Sequence, residues 1–100
     1  MYKVITKDID NDLKEIQRKQ PTEWEKIKGA LTQLEASGHD YPGKQERKYK
    51  AIKTKYYRIL YRFYGDYIIC VVCFKKQGQK IEKRHFDLAD QRFKEITKGN

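Results

Sequence analysis

One hundred residues are enough chain for one domain, here with 38% apolar residues, 37% charged residues and a formal net charge of +9. No apolar run approaches the ~20 residues that a membrane span needs, and the start, Met1-Tyr2-Lys3-Val4-Ile5, lacks the apolar stretch of a secretory signal. The expectation is a single cytoplasmic domain over residues 1–100 that keeps off membranes, folded rather than disordered because 13% of its residues are aromatic.

Residues 2–5 predict a short first strand. Ile9, Leu13 and Ile16 recur at i, i+4 and i+7, which predicts a helix over about 8–18. Pro21-Thr22 opens a second helix, with Thr22 and Glu25 as a capping box and Glu23 and Glu25 at the positive end of its dipole. Trp24, Ile27, Leu31 and Leu34 supply its apolar stripe, and Ser37-Gly38 ends it. Residues 38–44 predict a loop. Residues 48–53, 56–63 and 67–74 predict three strands, the last two joined by a tight turn at Gly65-Asp66. Gln77-Gly78-Gln79 interrupts the pattern. Phe86, Ala89, Phe93 and Ile96, at i, i+3, i+7 and i+10, predict a final helix, where Phe86, Phe93 and Ile96 serve either the core or a partner. The order β-α-α-β-β-β-α implies an α+β fold: a mostly antiparallel four-stranded sheet with helices packed on one face and the other face open to a ligand.

The charge is concentrated. Residues 43–84 hold 13 Lys or Arg and 3 acids, net +10, against −1 for residues 1–42 and 0 for 85–100. The same stretch carries the predicted strands and Tyr49, Tyr56, Tyr57, Tyr61, Phe63, Tyr64, Tyr67 and Phe74. A basic sheet with interleaved rings suits a polyanion whose bases can stack, so nucleic acid is the first partner to consider.

Cys70 and Cys73 form a C-x-x-C inside the β-forming run Tyr67-Ile68-Ile69-Cys70-Val71-Val72-Cys73-Phe74. In a regular strand, positions i and i+3 point to opposite faces about 10 Å apart, too far for a disulfide. No second pair of ligands is present for zinc, so two buried, reduced thiols are expected and no metal or cofactor.

Alternation along residues 56–64 puts Arg58, Leu60, Arg62 and Tyr64 on one face and Tyr57, Ile59, Tyr61 and Phe63 on the other. Arg58 and Arg62 then stand about 13 Å apart, close to two phosphate steps of an extended single strand. Lys53, Arg58, Lys75 and Lys76 form the candidate phosphate-binding cluster. Lys48, Lys50, Lys55, Arg62, Lys80, Lys83 and Arg84 add RNA-binding charge, and Tyr56 and Tyr64 offer rings for stacking. His85 is the histidine near this region, with a pKa suited to proton transfer; His39 lies in a polar loop. Lys14, Lys26 and Lys98 read as solvated surface.

Tyr57-Arg58-Ile59-Leu60-Tyr61, then Phe74-Lys75-Lys76 and Gln79-Lys80, then Phe86-Asp87-Leu88-Ala89, resemble the RelE/HigB toxin superfamily, and more closely its phage Gp49-like, HigB-type branch. The resemblance is strong over residues 57–89. It departs at Ala51-Ile52-Lys53, where the family reads E-L-R, at Ile81-Glu82, where it reads Thr-Pro, and at His85-Phe86-Asp87, where it reads E-I-E. The resemblance implies a RelE-like fold and the toxin of a type II toxin–antitoxin system. Such a toxin cleaves mRNA in the ribosomal A site without a metal and is silenced by a cognate antitoxin, expected to be of helix-turn-helix type. The chemistry of such a cut fits residues present here: Arg58 as phosphate clamp, Lys53, Lys75 and Lys76 as sources of charge or a proton, and His85 as a candidate for proton transfer. Two alternatives stay open: a ParE-like toxin of the same fold that inhibits gyrase, and a non-catalytic RNA-binding, phage-derived module.

Overall fold

The computed structural model describes residues 1–98. Strand β1 (Lys3–Ile5) leads through a 3-10 turn (Lys7–Ile9) into helix α1 (Asp10–Lys19), and α2 (Pro21–Ser37) follows almost at once. A second 3-10 turn (Gly38–Asp40) precedes β2 (Lys44–Glu46), β3 (Tyr49–Lys53), β4 (Tyr57–Tyr64) and β5 (Tyr67–Lys75), and α3 (Lys83–Thr97) closes the chain. The sheet order is β1-β5-β4-β3-β2, with β1 parallel to β5 and every other pair antiparallel.

The α+β class and the element order are those expected. Among the described residues the sheet has five strands rather than four. The additional strand is β2, three polar residues paired with Tyr49–Ala51 at the sheet's edge. Being short, polar and at an edge, it carries no apolar alternation that a sequence could show.

The helices cover both faces of the sheet, not one. Ile52, Ile59, Tyr61 and Ile68 pack with Ile9, Leu13, Ile16, Ile27 and Leu34 of the α1/α2 layer. Tyr49, Ala51, Leu60, Ile69, Val71 and Val72 form a second core with Phe86 and Ala89 of α3. The physical reason is that β4 and β5 are apolar on both sides, so each face needs its own cover. Phe86 therefore belongs to the core, at 6% exposure, and Phe93 and Ile96 pack against the same cluster.

A β-bulge corrects the expected geometry of β5. Leu60 pairs with Val72 but Tyr61 pairs with Cys70, so Val71 is the extra residue. The bulge flips the parity of the strand. Cys70 and Cys73 consequently face the same α1/α2 core instead of opposite sides. Both are free and buried, and burial pushes each thiol up to about 12, which keeps them protonated and inert.

The start of α2 also differs from the capping-box expectation. Gln20 is the residue before the helix, Pro21 opens it, and no side chain caps it. Glu23 does not face solvent at the helix end; it turns inward and is 3% exposed.

Hairpin β2–β3 is fastened to α3. The Arg47 guanidinium lies 4.2 Å over the Phe86 ring, and the Tyr49 hydroxyl donates to Asp90. Residues Lys53, Arg58 and Phe74 form one cross-strand row on the α3 side of the sheet. This row lies at the end of the sheet, beside the first turn of α3, whose His85 stacks on Phe74 while Lys53 and Arg58 are left to floor a pocket.

Candidate functional site

The pocket encloses about 320 Å³ and is lined by Lys44, Glu46, Lys53, Arg58, Phe74 and residues 76–81. Its lining carries the cations Lys44, Lys53, Arg58, Lys76 and Lys80 against the single carboxylate Glu46. Gly78, with φ +77, turns the segment after β5 back on itself, a conformation that suits glycine, so that Gln77–Ile81 become one wall. The backbone N–H of Lys76 donates to the Tyr56 carbonyl at 2.8 Å and anchors the start of that wall to the β3–β4 turn.

Arg58 is half-buried and held by its own turn. Its Nη1 donates to the carbonyls of Thr54 at 2.6 Å and Tyr57 at 2.8 Å. A guanidinium has five N–H donors, so fixing Nη1 leaves others for a two-point contact with a phosphate. Lys53 is directly opposite Arg58 on β3, and such partners place their Cβ atoms about 5 Å apart. Like charges at that position cost stability. Such a local cost is expected at a site that serves something other than folding. Hydrogen bonding to Lys44, some loss of solvent, and the charges of Lys44 and Arg58 hold the Lys53 amine below its ordinary 10.5; Glu46 opposes them.

The other residues singled out from the sequence divide clearly. Lys75 points to the opposite face of the sheet, into a separate cleft with Asp12, Glu15, Ile16, Tyr57 and Cys73. The bulge at Val71 is the reason, since it sets the parity of everything after it in β5. Arg62 shares the face of Arg58 but lies beneath α3, with its guanidinium 4.4 Å over Phe93 and 5.9 Å over Tyr49. The two arginines are therefore not two open phosphate steps along one side. Tyr64 packs edge-on against Phe93 and lines a different, apolar cleft with Ile5, Tyr67, Ile69 and Ile96.

Lys48 pairs with Asp90 at 3.3 Å, Lys83 with Asp87 at 2.9 Å and Arg84 with Glu82 at 3.3 Å. Lys50, paired with Gln45 and Tyr61, points to the α1/α2 side. Lys55 stands 5.3 Å over the exposed Tyr56 ring in the β3–β4 turn, next to the pocket. His85 stacks on Phe74 with centroids 3.8 Å apart and planes at 9°. Burial and then Arg84 pull its imidazole below 6.5, so it is mostly neutral at pH 7. His39 stacks on Phe63 and belongs to the packing of the loop.

Lys44, Glu46 and the inward role of Glu23 were not expected from the sequence. Glu46 sits in β2, the strand that the sequence hid. Glu23 accepts hydrogen bonds from Thr54 Oγ1 at 2.7 Å and the Tyr56 N–H at 3.1 Å, within the turn that holds Arg58. Its pattern reads as a helix-start acid, and only the tertiary fold shows that it faces inward. Among the described residues no three His, Cys, Asp or Glu side chains gather as a metal site would need, and no helix is long and apolar enough to cross a membrane.

The charge of this small α+β domain converges on one sheet-end pocket, a lining that suits an anion. The family model for the Phage derived protein Gp49-like family (DUF891) matches residues 3–94, and the chain belongs to that family, which is associated with toxin–antitoxin systems. No curated protein and no solved structure matches the chain.

Proposed function

We propose that this chain is the toxin of a type II toxin–antitoxin system of RelE/HigB type, and that it cuts translated mRNA in the ribosomal A site without a protein-bound metal. The observation that carries this reading is the pocket in which Lys53, Arg58, Lys76 and Lys80 converge beside Phe74. Family membership supports the toxin–antitoxin context.

RNA can be cut by its own 2′-hydroxyl. The 2′-oxygen attacks the adjacent phosphorus while its proton passes to a base. A phosphorane carrying extra negative charge forms, and the 5′-oxygen leaves with a proton from an acid. The products are a 2′,3′-cyclic phosphate and a 5′-hydroxyl. Arg58 clamps the phosphate, because it is always charged and pre-positioned by two carbonyls. Lys80 adds charge, and Lys76 donates the proton to the leaving oxygen. Lys53, with its amine held below 10.5, supplies the neutral fraction that accepts the 2′-hydroxyl proton. Glu46 is the second candidate for that base. Phe74 offers an apolar wall for a base or ribose. His85, committed to its stack on Phe74, is given no proton transfer.

The partner that silences such a pocket is an antitoxin, of helix-turn-helix type by resemblance, that lays an acidic segment near it. The test is to induce the chain in growing cells and map mRNA 5′ ends. Cuts within translated frames, absent from untranslated RNA, are the expected result. Intact mRNA with DNA damage would replace this reading with gyrase inhibition. Intact mRNA and undamaged DNA would leave a non-catalytic module.

A further inference from the structure

Among the described residues, the most deeply buried charged side chain lies outside the pocket, on the other side of the sheet's end. Glu23, in the first turn of α2, is 3% exposed. A carboxylate is buried at considerable cost unless its oxygens are well satisfied. Here Oε1 accepts from Thr54 Oγ1 and from the Tyr56 N–H, and Lys26 lies 3.6 Å from Oε2. The two hydrogen-bond donors belong to the turn between β3 and β4. Thr54 Oγ1 in turn accepts the Tyr57 N–H at 3.1 Å, and the Thr54 N–H donates to the Tyr57 carbonyl at 3.0 Å.

That turn is the common support of two pocket cations. The Thr54 and Tyr57 carbonyls grip Arg58 Nη1, and the Tyr56 carbonyl accepts the N–H of Lys76. We propose that Glu23 is a positioning residue for the pocket: through Thr54 and Tyr56 it fixes the turn whose carbonyls aim Arg58 and anchor Lys76. A carboxylate suits this role because it accepts two hydrogen bonds at once, and charged acceptors make the stronger bonds. The α2 helix thus contributes to a site that none of its side chains touches. The inference rests on the pocket being an anion site and not on RNA cleavage.

The test uses the whole chain and a single-stranded oligonucleotide with 2′-deoxy sugars, which can bind but cannot be cut. Glu23→Ala and Thr54→Val are compared with wild type for Kd and for the guanidinium NMR signals of Arg58. Gripped by two carbonyls, Arg58 should show slowed Nη rotation in wild type. Both variants should lose that signature and weaken oligonucleotide binding by about tenfold, the effect of one misdirected charge-assisted contact. Glu23→Gln, whose remaining carbonyl oxygen can still accept both bonds, should keep most of the affinity. Unchanged Arg58 signals and affinity in a folded Glu23→Ala would overturn the proposal and make Glu23 a structural tie alone. If Glu23→Ala does not fold, Thr54→Val decides in the same way. Normal effects on binding with no mRNA cleavage in cells would sink the nuclease reading and leave this one standing.

Discussion

Arg58 and Arg62 are on the same strand, on the same face, four residues apart. One stands at the end of the sheet with Lys53 opposite and Lys76 and Lys80 across a pocket. The other lies under α3 with its guanidinium over Phe93 and Tyr49. Their formal charge is identical. What separates them is cover: Phe93 of α3 lies over Arg62, whereas at the last row the first turn of α3 covers Phe74 through His85 and Arg58 opens onto the pocket. Arg62 contributes its charge to packing, as a cation over aromatic rings, while Arg58 keeps its donors for a ligand. Net charge thus says that a polyanion is expected, and helix placement says where it can be held.

Several changes would break or sharpen that contrast. The largest effect is expected for Arg58→Ala, which should slow cleavage of mRNA on purified translating ribosomes by roughly 10²–10³, by analogy with the loss of one oxyanion donor. A rate within threefold of wild type would remove Arg58 from the chemistry. Next comes the lysine pair at the end of β5. Lys76→Ala should flatten the log–log salt dependence of single-strand binding by about 0.7, the value of one phosphate contact. Lys75→Ala, on the opposite face, should leave the slope unchanged, and equal effects would mean that the ligand wraps both faces.

The titration of Lys53 gives a pH test. Its amine loses its proton at a lower pH than an ordinary lysine. If the neutral amine is the base, the cleavage rate rises with pH up to that lowered value and then levels. Lys53→Arg keeps the charge but cannot deprotonate in this range, so the rise should vanish. A profile that survives in this variant would remove Lys53 from the role of base.

Smaller still is the effect of Glu23 on stability. Its hydrogen bonds, that to Thr54 foremost, outweigh the cost of burial and hold its carboxyl below the usual 4.5. The sign follows from linkage: the stabilisation is fully present above pH 4.5 and is lost as pH falls through the lower folded value. Glu23→Gln should therefore cost about 1 kcal/mol near neutral pH, the difference between charged and neutral hydrogen bonds. That gap should close on acidification, as followed by urea denaturation at several pH values. Lys14→Ala, far from the pocket, should change nothing measured.

Much of the fold was legible because its elements carry strong periodicity. Ile9, Leu13 and Ile16 marked α1, and Phe86, Ala89 and Phe93 marked α3. The paired apolar runs around Gly65-Asp66 marked the β4–β5 hairpin. Lys53 and Arg58 were grouped as well, from the concentration of cations beside apolar strands, but their pairing across β3 and β4 was not read from the sequence. What was not legible depends on non-local facts. A bulge at Val71 has no residue signature, yet it moves Lys75 out of the site and brings Cys70 and Cys73 to one face. Strand β2 exists only because β3 is there to pair with it, so Lys44 and Glu46 were not counted among the site residues. The burial of Glu23 follows from where α2 docks against the β3–β4 turn, and its local pattern pointed to a helix start instead.

The central claim is that position at the pocket end of the sheet, not total charge, makes the site. The most direct measurement compares Arg58→Ala with Arg62→Ala in the ribosome cleavage assay, each rate scaled to the folded fraction measured by circular dichroism. The expected result is that Arg62→Ala loses stability but cleaves within about threefold of wild type, while Arg58→Ala stays folded and falls by about 10² or more. Equal losses of cleavage in the two variants, or a larger loss for Arg62→Ala, would contradict it.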